Sequence, residues 1–504
     1  MRRYRWPLLA AFLLIAAAAR PAAAQDMASF EKNLTVQKLK NGLTVMIYRR
    51  PVAPVFSFYT YVDVGAAQEV PGITGLAHMF EHMAFKGTSV IGTKDFKAEA
   101  VALSKVDTTY QAYDTERRNP LANPAKLEVL RKAFKDAQEA ADQYIEKNEF
   151  SRIVDRAGGV GMNATTNSDR TAYFFSMPSN KVELWAYLES ARFFDPVFRE
   201  FYKERDVVME ERRLRTESSP NGRLFEQFTA TAFFAHPYKQ PVVGYMSDLM
   251  SFTRQDAEAF FKTYYVPSNI TIAIVGDVKP EEVLPIVETY FGRMPAGPKP
   301  EPLRTVEPKQ TSEKSVVLVD PSQPVYMEGY HRPDVTSPDD LVYDVIADVL
   351  SSGRTSRLYR SLVRDKKIAA QAGAFNGLPG TKYPTLMVVR AIPTPGHTNA
   401  EVQAAIREQL ERLKTEPITD DELKMVKTRA KAALIRSLVD NSGIANQLTF
   451  YQVRYGDWRE MFRTVEKLEK VTKDDVMRVA NATFVPTNRT VGIIENADAA
   501  KAAK

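Results

Sequence analysis

Two kinds of apolar pattern alternate along this chain. Short β-branched runs such as Ile270 to Val275, Val316 to Val319 and Thr490 to Ile494 read as buried strands. Between them, stretches such as Ala400 to Lys414 and Asp420 to Val439 carry apolar residues at helical spacing. This order predicts an α+β architecture, with helices layered on a largely antiparallel sheet.

The pattern occurs twice. Thr253, Asp256, Tyr265-Val266-Pro267, Asn269 and Thr271 return as Thr472, Asp475, Phe484-Val485-Pro486, Asn488 and Thr490, each pair 219 positions apart. Both copies read as a helix with a threonine N-cap, a Val-Pro turn and an apolar strand. A constant offset through three elements implies an internal duplication. The reading is of two homologous domains, 25–294 and 312–497, each an antiparallel sheet with helices, closing like a clamshell around a chamber. Between them, 295–311 carries Pro295, Pro298, Pro300, Pro302 and Pro308, the composition of an extended linker, and 498–504 reads as a frayed tail.

Composition adds a compartment. Arg2, Arg3 and Arg5 precede the apolar stretch Trp6 to Ala19, and Ala22-Ala23-Ala24 precede Gln25, so residues 1–24 read as a signal peptide cleaved after Ala24. The apolar stretch is shorter than the ~20 residues a bilayer requires, so no stable membrane anchor is expected, and the product is periplasmic or secreted. Loss of Arg2, Arg3, Arg5 and Arg20 with this segment lowers the formal charge from +6 to +2. No clustered basic stripe remains, which argues against nucleic acid as a partner. With no cysteine in the sequence, disulfides are excluded.

The chemistry centres on His78-Met79-Phe80-Glu81-His82. On a helix, positions i and i+4 project from nearly one face, so His78 and His82 can share one ion while Glu81 leans over the same face. HxxEH is the inverzincin order of a zinc site in which the glutamate serves as base. The repeat does not contain a second copy, so one Zn²⁺ per chain is expected. A third ligand is sought among Glu204, Glu210 and Glu211; Glu204 and Glu211 are seven apart and share a helix face. Gly158-Gly159-Val160-Gly161 lacks the lysine and the strand-loop-helix setting of a phosphate loop.

At this point the chain resembles the pitrilysin and insulin-degrading-enzyme family, in particular its shorter branch, which includes the mitochondrial processing peptidases. The resemblance rests on HxxEH followed by Met83-Ala84-Phe85-Lys86-Gly87-Thr88, on Asn163-Ala164-Thr165 after Gly158-Gly159, on Glu204-Arg205-Asp206-Val207-Val208, and on the duplicated halves. It implies that His78, His82 and Glu211 are zinc ligands, Glu81 the general base and Glu204 an acid that orients a ligand. It further implies that the strand with Asn163, Ala164 and Thr165 pairs with an extended peptide substrate.

Two departures stand out. The spacing between HxxEH and Glu211 is roughly fifty residues longer than the family pattern. The excess, about 103–157, carries a helical seam of Leu127, Leu130, Phe134, Ala137, Ala141 and Tyr144 that predicts a hairpin packed on its own domain. In the second half, Arg364 fits the family's substrate-binding arginine, but Gln371 stands where the family has a tyrosine seven residues later. The resemblance then implies a heterodimer whose homologous partner subunit supplies an arginine-tyrosine pair, or otherwise a homodimer. The sequence thus reads as a secreted zinc endopeptidase, against a non-catalytic subunit or a peptide-binding scaffold as rivals.

Overall fold

The computed structural model describes residues 27–496, so the signal segment and the tail lie outside the described residues. Among the described residues eleven strands build two sheets. The first orders β1 (Leu34–Lys38), β2 (Thr44–Arg49), β6 (Ile270–Gly276), β3 (Val55–Val62), β5 (Thr171–Pro178) and β4 (Val160–Thr166). The second orders β7 (Lys314–Asp320), β11 (Arg489–Asn496), β8 (Val325–Arg332), β10 (Thr385–Pro393) and β9 (Ala369–Leu378). From β2 and β7 onward the two orders match strand for strand, leaving β1 as an addition to the first sheet. Both sheets are antiparallel except for one pair, β2 with β6 and β7 with β11, which run parallel. This fits the largely antiparallel sheet expected from the sequence; the parallel pairs arise because the last strand of each half, β6 or β11, arrives after a long helical excursion and enters beside β2 or β7.

Helices relevant to the site are α1 (Leu76–Met83), α2 (Phe96–Arg117), α3 (Pro124–Asp142), α4 (Val182–Phe194), α5 (Phe201–Arg212), α6 (Pro220–Ala232), α7 (Arg254–Tyr264), α8 (Pro280–Phe291), α9 (Asp340–Ser351), α10 (Asn399–Thr415), α11 (Asn441–Tyr455) and α12 (Lys473–Thr483). The repeat is visible in its hydrogen bonds. Thr253 caps α7 and Thr472 caps α12, each in a box closed by an aspartate three residues on. After each helix, an asparagine amide reaches back: Asn269 Nδ2 donates to the carbonyl of Tyr264, and Asn488 Nδ2 to that of Thr483.

Each sheet buries one face under helices of its own half: α1, α4, α7 and α8 on the first, α9, α10 and α12 on the second. The opposite faces are covered reciprocally. Ile444, Ala445 and Leu448 of α11 pack on Met46, Tyr59, Tyr61 and Val275 of the first sheet. Leu224, Phe228 and Ala232 of α6 pack on Val325, Met327, Leu386 and Val388 of the second. Space for the Phe228 ring comes from two glycines: a Cβ on Gly329 would lie 2.7 Å from it, and one on Gly492 would lie 2.9 Å away. Burial of these faces, at roughly 25 cal/mol per Å², ties the halves into one body. Residues 295–313, which include the proline-rich stretch, carry no helix or strand.

Between HxxEH and α5 the chain forms a hairpin of α2 and α3, which begins at Phe96. Phe134, Ala137 and Ala141 of its seam join the first half's core, while Leu127, Leu130 and Tyr144 are only partly buried. The rings of Tyr110 and Phe134 stand 4.2 and 5.3 Å from Tyr202 of α5, and Arg205 Nη1 donates to Tyr110 Oη at 2.6 Å. The hairpin therefore braces α5.

Candidate metal centre

Helix α1 starts at Gly75, whose φ of +97° suits a residue without a side chain; a Cβ there would stand 2.7 Å from the Val243 carbonyl oxygen. In place of an N-cap side chain, the buried Glu69 carboxyl group accepts the N–H groups of Gly75 at 2.8 Å and Ala77 at 2.7 Å, one at each oxygen. Burial pushes the Glu69 carboxyl up to about 8. Glu69 was not singled out in the sequence; an acid nine residues before a histidine has no periodicity to reveal it.

This anchorage directs His78 and His82 toward α5. Glu211 Oε2 lies 3.6 Å from His78 Nε2 and 3.4 Å from His82 Nε2. Three ligands at the ordinary zinc distances of roughly 2.0–2.1 Å, arranged tetrahedrally, stand about 3.3–3.4 Å from one another. The His82–Glu211 separation falls on that edge and the His78–Glu211 separation lies slightly beyond it. The ligand atoms of His78, His82 and Glu211 all lie within 4.8 Å of one another, and no second such group occurs among the described residues.

The surroundings fix the donor set. The other Glu211 oxygen accepts from Arg215 Nη1 at 2.8 Å, leaving Oε2 for the histidines. Glu204 Oε2 sits 3.5 Å from His82 Nδ1, and its Oε1 lies 2.5 Å from Lys86 Nζ, which also reaches Glu200 at 3.0 Å. Burial raises the Glu204 carboxyl, but its bonds to His82 and Lys86 outweigh that and hold it below the usual range. The same Glu204 bond lifts His82. His78, mostly buried, falls to about 4 and is a neutral imidazole at physiological pH, the form that binds metal. Its Nδ1 is buried and without a hydrogen-bond partner. Glu81 lies beside the Thr166 hydroxyl, and burial pushes its carboxyl upward.

Glu210, the competing acid, turns outward and pairs with Arg213 at 2.9 Å. Strand β4 is the free edge of the first sheet, with Asn163 and Thr165 exposed, Ala164 buried, and Thr166 beside α1. Arg364 and Gln371 are not gathered with this cluster. Arg364 is exposed and pairs with Asp365 at 2.6 Å, while Gln371 stands exposed on β9, the free edge of the second sheet. Lys86 follows HxxEH by four residues, and nothing in its spacing assigns it a contact.

A duplicated sheet-and-helix chain with an inward His-His-Glu cluster on its first half defines a class of protein. Residues 44–118 match the insulinase (peptidase family M16) model and residues 251–430 the peptidase M16 inactive domain, and the chain belongs to the M16 peptidase family. It is 29% identical over 467 residues to "Zinc protease PqqE" of Helicobacter pylori, covering 90% of each chain. To an "Uncharacterized zinc protease YmxG" of Bacillus subtilis it is 22% identical, covering 88% of this chain and 94% of that one. A solved protease from Helicobacter pylori superposes with a TM-score of 0.76 at 27% identity, covering 92% of this chain and 99% of that one. The fold also matches the periplasmic protease PqqL from Escherichia coli, with a TM-score of 0.67 at 16% identity, covering 94% of this chain and 48% of that one. The inactive-domain match contains none of the His-His-Glu residues.

Proposed function

We propose that this chain is a zinc-dependent endopeptidase acting on extended peptides. The observation that carries the reading is the Glu211 carboxylate oxygen held at 3.4 and 3.6 Å from two imidazole nitrogens, with Glu81 on the same helix. His78, His82 and Glu211 would hold one Zn²⁺, which when bound supplies a Lewis acid for the scissile carbonyl and lowers the pKa of a water. Glu81 accepts a proton from the attacking water and returns it to the leaving amine nitrogen; its raised carboxyl brings donor and acceptor closer in strength. Glu204 keeps His82 oriented through Nδ1. The open edge of β4 at Asn163, Ala164 and Thr165 receives the peptide backbone as an added strand.

Export to the periplasm is part of the same proposal, supported by the signal-like first 24 residues and by the periplasmic neighbour PqqL. No helix among the described residues is long and apolar enough to cross a membrane. Gln371 supports a further element, a homologous partner that contributes an arginine-tyrosine pair, with Arg364 as this chain's own contribution. The test is a peptide-cleavage assay on zinc-loaded protein, with and without chelator, beside Glu81→Gln. Cleavage that disappears with chelator, returns with zinc, and falls roughly 10²–10⁴-fold in Glu81→Gln at full zinc content is expected. Peptide binding without cleavage at full zinc occupancy would instead favour the scaffold reading.

A further inference from the structure

The two free sheet edges share an anchorage away from the metal cluster. Strand β4 ends in the turn 167–170, and β9, its counterpart in the second half, ends in the turn 379–384. These turns meet on Asp169, which is 2% exposed. Its Oδ1 accepts the Tyr238 hydroxyl at 2.5 Å, and its Oδ2 accepts the backbone N–H groups of Thr381 at 2.6 Å and Lys382 at 3.0 Å. Tyr383 N–H donates to the same Tyr238 oxygen at 3.2 Å. Lys382 Nζ reaches Asp63 at the end of β3 at 2.6 Å, and the buried Arg454 stands 3.6 Å from Asp169.

The fit admits no side chain at Gly380, where a Cβ would lie 2.6 Å from Tyr238 Oη and 2.7 Å from Asp169 Oδ2. On its other flank the Asp169 turn is bonded to the approach to α1. Ala66 N–H donates to Asn167 O at 3.1 Å and Ala67 N–H to Ser168 O at 2.9 Å, just before Glu69. A chain of direct bonds thus runs from the second half's edge hairpin, through Asp169, to the acid that caps the metal helix.

We propose that Asp169 is a positioning residue that fixes edge strand β9 relative to edge strand β4, so that an extended peptide is held between the two edges. This rests on the reading of β4 as the peptide-binding strand. The physical case is one of satisfaction: the buried carboxylate offers acceptors at once to the buried Tyr238 hydroxyl and to the half-buried N–H groups of Thr381 and Lys382, and no neutral side chain of its size does so. Asparagine presents an NH₂ where an acceptor is required, leaving a buried donor unpaired and the turns free to part.

The absence of cysteine makes the clamp measurable. Val160 and Ala370, exposed at the starts of β4 and β9, are replaced by cysteine and spin-labelled in the full chain, and the distance distribution is read by pulsed EPR. One narrow distribution is expected in the parent background. In Asp169→Asn its width should at least double, and the milder Tyr238→Phe, which removes the hydroxyl between Asp169 and Tyr383 N–H but leaves the Thr381 and Lys382 bonds to Asp169, should broaden it less. In unlabelled zinc-loaded variants, KM for a decapeptide should rise at least fivefold while kcat changes less than twofold and zinc content stays at one. Equal widths in both folded variants would overturn the clamp, and broadened widths with an unchanged KM would overturn its role toward substrate. Absence of cleavage in the zinc-loaded wild type would overturn the proposed function, and the widths then decide the clamp alone.

Discussion

Lys86 and Glu204 lie 2.5 Å apart, tying the segment just past HxxEH to the helix that carries Glu211. Glu204 is thereby divided between a lysine and His82, one carboxylate oxygen facing each. Lys86→Met should weaken zinc binding roughly 10–100-fold, the usual effect of removing a group that orients a ligand. Lys86→Arg should recover part of it. Zinc release to a chromogenic chelator measures both.

Adjacent acids on α5 should behave in opposite ways. Glu210 pairs only with exposed Arg213, so Glu210→Gln is predicted to change stability by less than about 0.5 kcal/mol and to leave zinc content unchanged. Under the proposed function Glu211→Gln loses a charged ligand and should abolish stoichiometric zinc. Metal analysis of the two proteins side by side checks the assignment.

Glu69 links stability to pH with a defined sign. Its folded carboxyl titrates at about 8, against an ordinary 4.5, so the folded chain keeps a proton that the unfolded chain gives up between these values. The stabilisation is present below about pH 4.5 and declines as pH rises toward 8. Glu69→Ala strands the Gly75 and Ala77 N–H groups and should cost about 2–5 kcal/mol near pH 5. Thermal melts across pH should show the gap between wild type and Glu69→Ala narrowing as pH rises.

Phe228 belongs to one half and is fully buried on the sheet of the other. Phe228→Ala should destabilise the chain by about 3–5 kcal/mol. Gly492→Ala, which drives a methyl to 2.9 Å from the same ring, should also destabilise it. In denaturant melts both halves are expected to unfold in one transition, because neither sheet keeps both faces covered alone.

The sequence made the repeat legible because capping boxes and Val-Pro turns are local devices, and they recur in α7 and α12 with their aspartates and asparagines in equivalent bonds. His78, Glu81 and His82 were legible for the same reason, since a helix period alone places them on one face. Glu211 needed a likeness to other proteins, because the α2–α3 hairpin separates it from HxxEH and no periodicity crosses that distance. Glu69, Lys86 and Asp169 were not legible: each acts through backbone N–H groups or an ion pair across elements, and their spacing in sequence carries no trace of it. The exchange of α6 and α11 between halves was hidden too, since an apolar helix face does not state which sheet it covers.

The proposed function stands on His78, His82 and Glu211 together holding one zinc ion. Metal analysis with zinc-edge X-ray absorption on the purified wild type and on His78→Ala tests it most directly. One zinc per wild-type chain with two imidazole ligands is expected, and less than a tenth of that in His78→Ala. Stoichiometric zinc retained by a folded His78→Ala chain would contradict it.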